Sequence, residues 1–280
     1  MAEPGDGVVV VDKPRGLTSH DVVHQVRGRE KGGHTGTLDP MATGVLPVCL
    51  GEATKIVQLL MGDEKAYEAE VTLGAETDTL DAEGKVVATG PVVPFDARVL
   101  ERFRGTYQQL PPMYSAVKVG GRKLYEAARA GEEVERAPRE VTVTRLEVLS
   151  VEGPRVRLAV ECSKGFFVRV LASDVAKALG TVGHLSALRR TKAGPFTLAQ
   201  AVSLEDACAG KGLMPIEKAV AHLPSVRVTA DEAKRVRSGG RVEAAPASGP
   251  VCVLGPDGLL LAIADVVGGQ LKYRRVMVSG

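Results

Sequence analysis

The sequence predicts an α+β fold, a large body built on a central mixed β-sheet with a small β-rich module at its C-terminal end. Three observations lead there. Apolar stretches with a period of two recur along the chain, helical patterns interrupt them, and after Pro224 the pattern changes to short strands between glycine turns. With 280 residues, 44% hydrophobic and 25% charged, the chain is long enough for one large folded unit with a smaller one attached.

Gly7-Val8-Val9-Val10-Val11 reads as a buried strand. Ser19 is expected to cap a helix whose apolar face includes Val22, Val23 and Val26, and Gly32-Gly33 to end it. After a glycine-rich loop, residues 65 to 73 alternate: Tyr67, Ala69, Val71 and Leu73 share one face, and Glu68, Glu70 and Thr72 the other. That is the pattern of a half-buried strand. Asp81-Ala82-Glu83-Gly84 signals a turn before a strand at Val86-Val87, and Asp96 opens a short helix carrying Val99, Leu100 and Phe103.

Residues 111 to 140 differ from the rest of the body. Gly120, Gly121 and Gly131 punctuate them, and the basic Lys118, Arg122, Lys123, Arg129, Arg136 and Arg139 are nearly balanced by acids, so the segment reads as a protruding, thumb-like insertion. Strands resume at residues 141 to 143 and at Val156, Leu158, Val160 and Cys162; a helix covers 168 to 179, a strand lies near Phe196, and helices follow Ser203 and Pro215. The expected division is therefore a body of residues 1–223 and a module of residues 224–280. The module carries eight Lys or Arg against five Asp or Glu, a basic balance that the chain as a whole, at +2, does not show.

Composition excludes several classes. No apolar run approaches the ~20 residues of a membrane span, and the first residues lack the basic-then-apolar plan of a signal peptide, so a cytoplasmic protein is expected. Cys49, Cys162, Cys208 and Cys252 are too far apart for a Cys-x-x-Cys zinc or redox pair and are expected to be reduced and buried. Neither Gly-x-x-x-x-Gly-Lys-Ser/Thr nor Gly-x-Gly-x-x-Gly occurs, which argues against a nucleotide cradle.

Asp39 precedes Pro40 in a loop bracketed by Gly36 and Gly44; the proline ring disfavours helix at Asp39 and turns its carboxylate outward. Taken alone, Asp-Pro is an ordinary turn. The surrounding segments say more. Val11-Asp12-Lys13-Pro14, the loop from Gly32 to Gly44, Leu50-Gly51-Glu52-Ala53-Thr54-Lys55, Lys65-Ala66-Tyr67, Thr77-Asp78-Thr79, Met113-Tyr114-Ser115-Ala116, Cys162-Ser163-Lys164-Gly165 and Leu188-Arg189-Arg190 resemble, in this order, the blocks of the TruB family of tRNA pseudouridine synthases.

The resemblance spans positions 7 to 196 and implies a pseudouridine-synthase fold followed by a module similar to PUA-type RNA-binding domains. It implies an isomerase acting on the T-loop uridine at tRNA position 55, with Asp39 as nucleophile. It also implies that Tyr67 stacks on the target base, that His34 supports the flipped nucleotide, and that Leu188 lines the base pocket. A nucleophilic aspartate in a closed pocket needs a nearby cation to stay ionised, and Arg169 fits that need. One departure stands out: in Gly165-Phe166-Phe167-Val168-Arg169 the family's usual tyrosine is replaced by Phe167, which keeps an apolar surface for the substrate and loses a hydroxyl. The reaction breaks and remakes one glycosidic bond, so neither cofactor nor metal is expected; the expected partner is the T arm of tRNA, and the expected state a monomer.

Two other readings compete. An RNA-binding or RNA-chaperone protein could keep this fold without turnover. A zinc hydrolase could use His20 and His24, at i and i+4 on a helix, with His34 as a third ligand, but no glutamate completes a His-Glu-x-x-His pattern.

Overall fold

A computed structural model describes residues 5–62, 64–115, 118–124, 132 and 134–277, with only the backbone of Lys118, Val119, Arg122 and Lys123. The large sheet contains β1 (Gly7–Lys13), β2 (Gly32–His34), β3 (Thr43–Leu50) and β4 (Glu64–Leu73). The ribbon β5 (Ala75–Thr77) and β6 (Val86–Thr89) follows, then β7 (Gly105–Gln109) and the hairpin β8 (Lys118–Val119) and β9 (Arg122–Lys123). The sheet continues through β10 (Arg139–Glu152), β11 (Arg155–Ser163), β12 (Gly183–Ala193), β13 (Phe196–Thr197), β14 (Val202–Ser203) and β15 (Leu213–Met214). Its spatial order is β14-β1-β3-β12-β4-β11-β10-β7, with β2, β13 and β15 attached at the side. β1 with β14 and β3 with β12 run parallel and the other pairs antiparallel, so the expected mixed sheet is present.

The valine run of β1 is buried because both faces of the sheet are covered there. Val9 and Val11 point into one core with Val22, Leu46, Val48, Ala69, Val71 and Leu171; Val8 and Val10 point into a second with Val45, Ile56 and Phe196. Helix α1 (Ser19–Val26) packs Val22, Val23 and Val26 on the first face, as its spacing predicts. Its cap is Thr18 and not Ser19: Thr18 and Asp21 form a reciprocal capping box. The helix also ends earlier than expected, at Arg27, whereas Gly32-Gly33 enter β2. The sequence signal was misplaced because Thr18 and Ser19 are both good caps and only packing distinguishes them. Helix α2 (Val57–Leu60) covers the other face.

Helix α3 (Val168–Ala178) lies across β12 and β4 on the first face, while the short α4 (Leu204–Cys208) and α5 (Ile216–Ala219) start after Ser203 and Pro215 as predicted. Asp96 caps a 3-10 helix over Ala97–Phe103. The expected insertion is described only in part; Ala116, Arg129 and Gly131 lie outside the described residues. No helix among the described residues is long and apolar enough to cross a membrane.

Beyond Pro224, β16 (Ser225–Arg227), β17 (Val251–Leu254), β18 (Leu260–Val267) and β19 (Gln270–Val276) form a second sheet, and α6 (Ala230–Arg237) packs on it. One face encloses a local core of Val236, Val251, Val253, Leu261 and Ala262. Cys252, Leu260, Ile263 and Met277 instead join the second core of the body, against Val8, Val10, Ile56, Phe196 and Val220. The two sheets thus share apolar packing. Cys49, Cys162 and Cys252 are free and buried, and Cys208 is free and half-buried, close to the expectation.

Candidate active site

Residues 35 to 42, between β2 and β3, form an irregular loop whose carbonyls are held by buried side chains from distant parts of the chain. Ser19 Oγ donates to the Leu38 carbonyl (3.0 Å) and accepts from the Leu38 N–H (2.8 Å). Arg190 donates to the carbonyls of Val45 (2.7 Å), Gly36 (3.1 Å) and Thr37 (3.2 Å). The fully buried Lys13 ammonium donates to Pro14, Leu17 and Pro40 carbonyls at 2.9, 2.5 and 3.2 Å. Burial lowers the Lys13 pKa to about 8, against the pull of the Glu83 and Asp39 carboxylates. A loop without regular hydrogen bonding would otherwise leave these carbonyls unpaired. Gly44 closes the turn at φ +102, where a Cβ would lie 2.2 Å from the Arg190 carbonyl, so glycine is required by both conformation and space.

From this loop Asp39 faces Arg169, whose Nε lies 3.0 Å from Asp39 Oδ2. The arginine side chain is only 7% exposed and the aspartate's 36%. Nη1 of the same guanidinium lies 3.4 Å from Asp81 Oδ2 and donates to the Thr79 carbonyl (3.1 Å); Nη2 donates to the Tyr114 carbonyl (2.8 Å). A cation in the first turn of a helix opposes the helix dipole, and the two carboxylates offset that penalty at the start of α3. Burial pushes the Asp39 carboxyl above its ordinary value, and Arg169 is the strongest influence in the opposite direction.

Asp81 was legible in the sequence only as part of a turn. The structure shows why it belongs here. Leu80 adopts φ +62, uncommon for a branched side chain, and the turn is docked on β12 through the Leu185 N–H to Leu80 and Ala82 N–H to Leu185 hydrogen bonds (3.1 and 3.0 Å). Asp81 Oδ1 accepts from Thr79 Oγ1 (2.6 Å) and from the Glu83 N–H (3.1 Å), which leaves Oδ2 toward Arg169.

Tyr67 and Leu188 come from neighbouring strands: Tyr67 is the register partner of Arg190, and Leu188 that of Ala69. All four lie on the face that α3 covers. Burial raises the Tyr67 pKa, and the nearby Arg190 guanidinium pulls it the other way. Phe167, at the N-cap of α3, is held by Gln109: its N–H donates to Gln109 Oε1 (2.8 Å), and Gln109 Nε2 donates to its carbonyl (3.1 Å). Asp39, Tyr67, Phe166, Phe167, Val168, Arg169 and Leu188 line one cavity of about 330 Å³, with Ser115 on its wall and the exposed Arg139 also lining it. Its surface is more apolar than polar, with the Asp39 carboxylate facing the Arg169 guanidinium, a setting suited to covalent attack on a small ring.

His34 is the one expected site residue that does not line this cavity. It sits at the end of β2, where its Nδ1 accepts from the Gly36 N–H at 3.3 Å, and burial lowers its pKa. His20 and His24 are exposed on α1, and no three His, Cys, Asp or Glu side chains among the described residues are grouped as a metal site would need, which removes the geometric support for a zinc hydrolase. Arg190, Ser19, Asp81 and Gln109 were missed because their roles depend on contacts across 19 to 154 positions of sequence.

Known proteins resemble the chain along its length. Residues 24–168 match the family described as TruB family pseudouridylate synthase (N terminal domain), 169–221 the tRNA pseudouridylate synthase B C-terminal domain, and 223–278 the tRNA Pseudouridine synthase II, C terminal. The tRNA pseudouridine synthase B of Aromatoleum aromaticum is 49% identical over 287 residues, covering 97% of this chain and 92% of that protein. Its namesake from Ectopseudomonas mendocina is 44% identical over 98% of this chain and 96% of that protein. Among solved structures, a chain of a Cbf5-Nop10-Gar1 complex superposes with a TM-score of 0.75 at 30% identity, over 98% of this chain and 85% of that one. A chain of an H/ACA RNP bound to a substrate RNA containing 2'-deoxyuridine gives 0.75 at 27% identity, over 99% and 86%.

Proposed function

The chain belongs to the TruB family of pseudouridylate synthases, and we propose that it isomerises uridine to pseudouridine in tRNA, at position 55 of the T loop, with Asp39 as nucleophile. The observation that carries this reading is the Asp39–Arg169 pair, 3.0 Å apart on the wall of a cavity whose other sides are Tyr67, Phe167 and Leu188.

Attack by the Asp39 carboxylate on the nucleotide lets the C1′–N1 bond break, the uracil turns within the cavity, C5 bonds to C1′ as the bond to Asp39 is released, and C5 gives up its proton while N1 takes one up. Every heavy atom of the nucleotide is retained and no electrons are gained or lost, so the chemistry asks for no cofactor. Arg169 draws Asp39 toward its charged form where burial opposes it, and its ties to Asp81, Thr79 and Tyr114 fix the direction of the carboxylate. Tyr67 supplies a flat face for the base and a hydroxyl within reach of the transferred proton. Phe167 keeps the apolar wall. His34, beside the loop, is the group that supports the nucleotide once it is flipped out of its stack.

Residues 1–223 act as the catalytic unit, the insertion at 111–140 and the basic module at 224–280 grip the T arm, and the protein works as a cytoplasmic monomer. Lys164 of the body and Arg274 of the module line one groove, which suits a phosphate backbone crossing both. Incubating the purified protein with unmodified tRNA and mapping pseudouridine tests the reading. Product at position 55 supports it. Tight tRNA binding with no product at any position would favour an RNA-binding protein without turnover.

A further inference from the structure

Several polar groups on the cavity wall already have partners. Asp39 and Arg169 hold each other, and the Phe167 backbone is held by Gln109. Ser115 differs: it is 5% exposed, lines the same cavity, and its Oγ has no hydrogen-bond partner among the described residues. Its backbone is nevertheless fixed. The Ser115 N–H donates to the Met113 carbonyl (2.9 Å), and the carbonyl of its neighbour Tyr114 accepts from Arg169 Nη2 (2.8 Å), so one peptide unit ties Ser115 to the guanidinium that holds Asp39.

A hydroxyl closed off from water without a partner weakens the folded state, and in a native structure it calls for an explanation. The cavity supplies one. We propose that Ser115 Oγ hydrogen-bonds the polar edge of the target uracil, an inference that rests on the uridine-isomerising reading above. The uracil faces meet Tyr67 and Leu188, which leaves two carbonyl oxygens and N3–H to be satisfied at the ring edge. A serine hydroxyl donates to the first or accepts from the second, and its three staggered positions let it follow a ring that must turn between bond breaking and bond making. With no bond among the described residues to give up, Ser115 turns toward the ring at the cost of a rotamer change.

The test compares Ser115→Ala with wild type on two RNAs: unmodified tRNA as substrate, and the same tRNA lacking the target base as a competitive inhibitor. The expected results are a kcat/KM for uridine tRNA about three- to tenfold lower, the factor of one net hydrogen bond, an unchanged inhibition constant for the abasic tRNA, and a melting temperature no lower than wild type's. An unchanged kcat/KM overturns the proposal. Equal weakening toward both RNAs, or a loss of melting temperature, also overturns it, because Ser115 would then act on the backbone of the RNA or on the fold. If wild type forms no pseudouridine, the functional reading fails and this inference with it.

Discussion

Asp81 Oδ2 lies 3.4 Å from Nη1 of Arg169, the guanidinium whose Nε holds Asp39. Arg169 therefore bridges the cavity-lining Asp39 to a second carboxylate that does not line the cavity. Asp81→Ala is expected to lower kcat by roughly 10²-fold, the loss that follows when a reacting group shifts by about 1 Å, with KM for tRNA changed little. Single-turnover kinetics check this; wild-type kcat in Asp81→Ala would remove Asp81 from the account.

Burial raises the Asp39 carboxyl above its unfolded value of 3.8, so the charged form opposes folding. What the protonated group contributes to stability is fully present below that value and is lost as pH rises through the folded pKa. Asp39→Asn, which does not titrate, is accordingly expected to melt at or above the wild-type temperature at pH 7, and the difference should shrink as pH falls toward 3.8. Melting curves at several pH values decide; a clearly less stable variant at pH 7 contradicts the direction.

Gln109 clamps both backbone groups of Phe167 two residues before Arg169. Replacing it with leucine takes the partner from the half-buried Phe167 N–H, while the Phe167 carbonyl keeps the helical bonds from the Val170 and Leu171 N–H groups (3.1 and 3.2 Å), so the expected cost is about 1–3 kcal/mol of stability for the N–H alone. Turnover should fall as well, through the start of α3. Denaturant unfolding and initial rates measure the two effects, and a variant unaffected in both would show that the clamp is idle.

Phe167→Tyr is expected to change kcat by less than about tenfold, since one net hydrogen bond is worth about 0.5–1.5 kcal/mol. Phe167→Ala should do more harm, because it removes a wall of the cavity. A large gain on restoring the tyrosine would show that the hydroxyl takes part in the chemistry.

The module after Pro224 is expected to melt together with the body. Ile263, 2% exposed, belongs to the core that includes Val8, Val10 and Phe196. Ile263→Ala should cost about 2–5 kcal/mol and lower a single calorimetric transition. Two separate transitions, with only one of them moved by the substitution, would show independent units.

Much of this was readable from local pattern. The alternation at 65 to 73 placed Tyr67 on the covered face, Asp96 capped where it should, and the motif blocks selected Asp39, Tyr67, Phe167, Arg169 and Leu188, all of which line the cavity. What local pattern could not reveal is which residues hold those five in place. Ser19 reads as a helix cap until it is seen bonded to Leu38; Arg190 stands only as the end of a motif block until it is seen buried around the Gly36 and Thr37 carbonyls. The shared core between the two sheets was hidden for the same reason, since Cys252 and Ile263 look like strand residues of a self-contained module.

The most direct test of the central claim is to map pseudouridine in unmodified tRNA after incubation with wild-type protein and with Asp39→Asn. The account predicts pseudouridine at position 55 with wild type and, with Asp39→Asn, tRNA binding retained while turnover falls by on the order of 10⁴-fold or more, as when a covalent nucleophile is removed. Near-normal pseudouridine formation by Asp39→Asn would contradict it.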